Sequence, residues 1–167
     1  MSEQLFQGIR ILDFTDFLAG PYCGMYFADM GADVIKIEDP GTGDLARNMM
    51  PKKDGISTYF VMFNRGQRGV TLNLKSEEGK EILRKMILSA DVLIENFRPS
   101  VMQRLGFSYE EVEKLNPRII YASISGFGQE GVYANRPLLD PVAQAMSGLM
   151  SVTGPGDGEQ VRCGASV

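Results

Sequence analysis

The stretch from Gly8 to Asp44 constrains the fold more than any other part of the chain. Ile9 to Phe14 is an apolar run of strand length. Gly20 and Pro21 fit the N-cap and first turn of a helix, because proline has no N–H to lose there. Gly31 fits the end of that helix. Asp33 to Glu38 then reads as a second strand carrying Val34, Ile35 and Ile37. A strand–helix–strand unit of this kind builds a parallel sheet covered on both faces. It also aims backbone N–H groups at whatever lies beyond the strand ends.

The same alternation continues along the chain. Gly41 to Gly55 is a polar loop holding Arg47, and Tyr59 to Phe63 is a short apolar helix. Val70 to Leu74 alternates as a third strand. Ser76 caps a helix running through Ala90, with Ile82, Leu83, Met86, Ile87 and Ala90 on one face. Asp91 to Glu95 is a fourth strand, and Ser108 with Glu111 forms a capping box for a short helix ending at Pro117. Arg118 to Ser125 is a fifth strand, and Asp140 to Leu149 is helical. Strands alternating with helices predict an α/β fold: a Rossmann-like parallel sheet with helices on both faces, in one domain over residues 1–167. Sites in such sheets lie outside the carboxyl ends of the strands. Four segments collect there: Thr15 to Gly20, Asp39 to Asp44, Asn96 to Pro99 and Gly126 to Gln129.

Composition excludes several chemistries. The chain has no histidine, which removes the Ser-His-Asp triad, the Cys-His pair and histidine metal sites. Cys23 and Cys163 fall in no CxxC pattern, so no metal site is expected and a reducing, cytoplasmic setting is. A net charge of −4 argues against a nucleic-acid groove, though a local basic patch suffices for a polyanionic small ligand. No apolar stretch approaches the ~18 residues of a membrane span. Met1 to Gln7 is polar, without the pattern of a secretory signal.

An opening segment and seven ordered blocks after it carry a more specific signal. The opening holds Leu12-Asp13-Phe14, Ala19-Gly20-Pro21, Gly31 to Glu38 and Gly43-Asp44. After it come Phe63-Asn64-Arg65-Gly66, Leu72-Asn73-Leu74-Lys75, Glu95-Asn96-Phe97-Arg98-Pro99, Arg104-Leu105-Gly106 and Asn116-Pro117-Arg118. Ser125-Gly126-Phe127-Gly128-Gln129 and Gln144-Ala145-Met146-Ser147-Gly148 close the series. In this order they resemble the N-terminal part of the class III CoA-transferases, which include formyl-CoA transferase and the carnitine and bile-acid CoA-transferases.

That resemblance implies the N-terminal portion of the family's large domain, with CoA and acyl-CoA as substrates and no separate cofactor. It implies that Lys75 and Arg104 contact CoA, with Arg98 beside them. Cations suit the 3′-phosphate and diphosphate, and arginine grips phosphate through paired hydrogen bonds. Leu72, Asn96 and Phe97 are expected around the adenine, joined by Leu74; plain core is the alternative for Leu72 and Leu74. Phe17 and Leu18 match the segment beside the thioester and suggest an apolar acyl pocket; packing under the loop is the alternative. Asp140 either supports the acyl-transfer centre or caps the helix that follows. Family members with a basic residue after the second strand use it on the CoA phosphate. This chain has Asp39 there, leaving Arg47 or Arg65 as substitutes.

The family's nucleophile is an aspartate a few residues beyond a stretch like Gly164-Ala165-Ser166, and no acidic residue follows Gln160. The resemblance therefore places the nucleophile just past Val167 and predicts that this chain alone is inactive. It also implies a carboxylic acid as acyl acceptor and an interlocked homodimer at full length. The related α-methylacyl-CoA racemases share the fold but use a histidine where this chain has Leu139. A non-catalytic domain binding CoA or a nicotinamide dinucleotide is a further alternative, but for the dinucleotide the first turn, FTDFLAGPYCG, lacks GxGxxG.

Overall fold

The structure, a computed structural model, describes residues 4–156 and 158–166. It divides into two compact units, Met1–Ile124 and Ser125–Val167. The first unit is built on five parallel strands: β1 (Arg10–Asp13), β2 (Asp33–Glu38), β5 (Arg68–Thr71), β6 (Val92–Glu95) and β7 (Ile120–Ser123). Their order across the sheet is β5-β2-β1-β6-β7, so β1 is central and the order reverses beside it.

Period-two alternation sends neighbouring residues to opposite faces. On one face Leu12, Phe14, Ile37 and Leu93 join Leu83, Ile87, Met102, Phe107 and Val112. These come from helices α3 (Glu77–Ile87), α4 (Val101–Leu105) and α5 (Tyr109–Leu115) and the turns beside them. On the other face Ile11, Val34 and Ile94 meet Phe27 and Ala28 of helix α1 (Ala19–Asp29). Helices thus cover both faces, as expected. Leu83, Ile87, Leu93 and Phe107 are each 0% exposed. Full burial of such a side chain contributes about 1.5–3 kcal/mol.

Local signals explain most element ends. Ser76 Oγ accepts the Gly79 N–H at 3.1 Å and caps α3. The Ser108–Glu111 capping box opens α5. Helix α2 (Thr58–Phe63) follows Ser57, whose Oγ accepts the Phe60 N–H at 3.1 Å. Several expectations shift: the third strand of the sheet runs Arg68–Thr71 rather than Val70 to Leu74, the fifth is the shorter Ile120–Ser123, and the last helix ends at Met146 rather than Leu149. The cap of α1 is Leu18 rather than Gly20, and Gly20 sits in the first turn because Thr15 packs where its side chain would be. Helix α3 stops at Ile87, short of Ala90, and Ile82 faces solvent. Within the expected 41–55 loop lie a 3₁₀ turn, Leu45–Asn48, and a small hairpin of β3 (Lys52–Lys53) and β4 (Ile56–Ser57). Asp54 and Gly55 both take positive φ at its turn, the conformation an Asp-Gly hairpin prefers.

The second unit holds helix α6 (Asp140–Met146) and a 3₁₀ turn, Leu149–Val152. Gln144, 0% exposed, organises it. Its Nε2 donates to Asp140 Oδ2 at 2.8 Å, and its Oε1 accepts the Cys163 N–H at 2.9 Å. Among the described residues, no helix is long and apolar enough to cross a membrane.

Candidate functional site

A cleft of about 250 Å³ opens where the sheet's carboxyl edge meets α4. Phe14 leads into it from the end of β1, and Ile37, Glu38 and Asp39 from the end of β2. Leu72, Leu74 and Lys75 line it from the segment after β5, and Phe97 from the segment after β6. Val101 and Leu105 of α4 close it. Aliphatic walls with an aromatic ring suit a flat base, and Lys75 supplies a cation at the rim. At this volume the cleft is smaller than the ~300–1,000 Å³ of pockets that enclose whole ligands.

The cleft brings together three of the sequence-expected residues, Leu72, Lys75 and Phe97, and the expected companion Leu74. The others stand nearby in other roles. Asn96 turns to the loop after β1: its Oδ1 accepts the Asp16 N–H and its Nδ2 donates to the Asp16 carbonyl, both at 2.8 Å. Arg104 is exposed on α4, with Nη1 donating to Ser100 Oγ at 2.6 Å. Arg98 is exposed at the turn leading into α4, where its carbonyl accepts the Val101 N–H at 3.1 Å. Phe17 is 42% exposed with φ +66°, and Leu18 is the N-cap residue of α1.

Two expected substitutes for a basic residue at Asp39 are occupied. Arg47 forks onto Glu38 through Nε and Nη2 at 2.7 and 2.6 Å and lies over the Phe60 ring at 3.8 Å. Arg65 pairs with Asp29, away from the cleft lining. Asp39 itself is held below the ordinary carboxylate range by the N–H groups of Gly41 and Thr42 and by the Lys75 charge. It remains an anion at the mouth.

Sequence reading missed the polar cluster beneath this edge. Lys36, 2% exposed, pairs with Asp44, 0% exposed, at 2.9 Å and donates to the Thr15 carbonyl at 2.6 Å. Asp13 is fully buried; burial raises its pKa against the opposing Lys36 charge and Thr15 hydrogen bonds. Asp16 is pushed up to about 6, by burial first and then by the Asp44 charge. Burial also pushes Glu38 up, but Arg47 and the Asp44 N–H outweigh it and hold that carboxyl below its usual range. The available signal was Lys36 set between Ile35 and Ile37 in the strand Asp33 to Glu38. A lysine there must find an anion.

In the second unit, Asp140 is the first residue of α6 rather than its cap; Leu139 holds the cap position, and Asp140 accepts from Gln144 instead. The first glycine of the Ser125 to Gln129 loop has a packing explanation. A side chain at Gly126 would stand 2.2 Å from Leu138 Cβ.

The model of CoA-transferase family III matches residues 6–167. The acetyl-CoA:oxalate CoA-transferase of Acetobacter aceti is 50% identical over 161 residues, covering 96% of this chain and 41% of that protein. The succinyl-CoA:glutarate CoA-transferase of Mus musculus is 43% identical over 162 residues, covering 96% of this chain and 37% of that one. Among solved structures, a CAIB/BAIF family protein from Brucella suis superposes with a TM-score of 0.93 at 38% identity, over 99% of this chain and 45% of that one. The chain thus spans about two-fifths of the length of these curated relatives. A family match over nearly every residue and a near-identical backbone agree: the chain belongs to CoA-transferase family III.

Proposed function

We propose that this chain is the CoA-binding part of a class III CoA-transferase, and that the cleft between the carboxyl edge of the sheet and α4 receives the nucleotide end of CoA. The observation that carries this reading is the convergence of Leu72, Leu74, Phe97 and Lys75, from separate segments, on one cleft. The base stacks among the apolar side chains, and Lys75 faces the phosphates. Arg98 and Arg104, both exposed near the same end of the sheet, add charge to the approach.

The whole protein then moves CoA between carboxylic acids. In the reading the family suggests, an aspartate past Val167 attacks the donor thioester and becomes a mixed anhydride as the CoA thiolate leaves. The thiolate returns to the aspartyl carbonyl, the donor acid departs, and the acceptor acid takes CoA by the reverse steps. Splitting one acyl transfer in this way replaces a hard step by easier ones. The 167-residue chain accordingly binds without turning over. A cytoplasmic, interlocked homodimer belongs to the same proposal. Leu139 at the racemase histidine position favours transfer over racemisation, since leucine cannot abstract an α-proton.

Titration calorimetry with CoA, dephospho-CoA and NAD tests the reading. CoA should bind most tightly, and Lys75→Ala should weaken it. Equal affinity for CoA and NAD, or no CoA binding by folded protein, would refute it.

A further inference from the structure

The loop from Thr15 to Leu18 leaves the cleft directly after Phe14 and holds a costly conformation. Phe17 has φ +66°, a left-handed backbone that a residue with a large side chain rarely adopts. Such a conformation persists only where its surroundings impose it. The surroundings do so from two sides. Asp44 Oδ1 accepts the Phe17 N–H at 3.1 Å and the Ala46 N–H at 2.8 Å. Asn96 holds Asp16 by both its N–H and its carbonyl. Asp44 is itself fixed, because its other oxygen meets the buried Lys36 ammonium at 2.9 Å and its own N–H donates to Glu38 Oε2 at 2.8 Å. Lys36 also grips the Thr15 carbonyl, so the same ammonium holds both ends of the contact.

We infer that the buried Lys36–Asp44 pair, together with Asn96, is a lock on the β1–α1 loop, and that Asp44 is a positioning residue for the part of the ligand that extends past the cleft. The lock ties together segments that also supply cleft lining: Phe14 after β1, Glu38 at the end of β2 and Phe97 after β6. It gives a physical role to the Gly43-Asp44 block, to the strand lysine and to Asn96, none of which lines the cleft. A buried ion pair is weak evidence for stability, because desolvating both charges offsets their attraction. Its retention here fits the fixing of one backbone arrangement. This inference rests on the proposed CoA site only for the identity of the ligand.

Two variants separate the hydrogen bond from the charge. Lys36→Met with Asp44→Leu removes both charges of the pair and the acceptor for Phe17, leaving Asp13 without the opposing Lys36 charge. Lys36→Met with Asp44→Asn removes the charge but keeps the acceptor. CoA and adenosine 3′,5′-bisphosphate, which lacks the pantetheine arm, are the probes. The leucine variant should bind CoA about tenfold more weakly, the population cost of a left-handed residue without glycine. It should bind the bisphosphate as wild type does, and the asparagine variant, which keeps the acceptor for Phe17 but loses the Lys36 grip on Thr15, should bind the bisphosphate normally and lose less CoA affinity than the leucine variant. Equal loss of both probes, or no loss of either, overturns the lock. Amide hydrogen exchange of wild-type Phe17 decides independently of any variant's folding: slow exchange supports the lock, and exchange at the rate of an open loop overturns it. Wild-type protein that binds neither probe sinks the CoA reading, while the exchange rate still decides the lock.

Discussion

Asp16→Asn should make the protein more stable at neutral pH and leave its stability unchanged in acid. Burial first, and then the Asp44, Glu38 and Asp13 charges against the opposing Lys36, push the Asp16 carboxyl up to about 6 from the ordinary 3.8. Between pH ~4 and ~6 the folded chain holds a proton at Asp16 that the unfolded chain has released, so stability falls as pH rises through that window. The gap is worth about 3 kcal/mol at ~1.36 kcal/mol per pH unit. Part of the side chain faces solvent, and screening leaves about half of that, roughly 1.5 kcal/mol. Asparagine has no proton to lose, so the difference between the two proteins isolates this one group. The lowered carboxyls of Asp33 and Glu38 act in the opposite direction at lower pH and cancel in the comparison. Urea unfolding at half-unit steps from pH 4 to 8 measures it. The variant's midpoint should match wild type at pH 4 and exceed it by roughly 0.5–1 M at pH 7, for an m-value near ~2 kcal/mol/M. A difference that is flat with pH, or of reversed sign, refutes the reasoning.

Gly79→Ala should destabilise α3 even though alanine is the better helix former by about 1 kcal/mol, because the added carbon would stand 2.1 Å from the Asn73 carbonyl oxygen. A thermal midpoint above wild type would contradict this. Phe107→Ala empties a fully buried site and should cost about 3–5 kcal/mol by chemical unfolding. A loss under about 1 kcal/mol would mean that the site collapses around the change. Arg104→Ala should weaken CoA binding by about 1–3 kcal/mol with a smaller effect on dephospho-CoA, as for a lost hydrogen bond to a charged group. Unchanged affinity would leave Arg104 as surface charge tied only to Ser100.

The alternation of strand and helix was legible because each rests on local chemistry. Val34 and Ile37 mark β2, Ser76 marks the start of α3, and Ser108 with Glu111 marks α5. The cleft was half legible. Leu72, Lys75 and Phe97 were found through matched blocks, and the topology then explains why they meet, since their segments follow β5 and β6 at one sheet edge. The lock was not legible. Its partners Thr15, Lys36, Asp44 and Asn96 are far apart in sequence, and although Lys36 inside a strand calls for an anion, nothing local says which one. The cap of α1 was misplaced because Gly20 looks like a cap until Thr15 is seen packed against it.

The central place of β1 also shapes how the chain is made. It can pair with β2 soon after Glu38 is synthesised, but its other edge waits for β6, where Asp91 bonds back to Arg10 across 81 positions. At roughly 5–20 residues per second on a ribosome, that edge stays open for about 4–16 s. During this time Ile11 and Leu12 present an unpaired, apolar strand that another chain can join. Slowing synthesis between Glu38 and Val92 should therefore lower the soluble yield, and speeding it should raise it, without changing a single residue of the product.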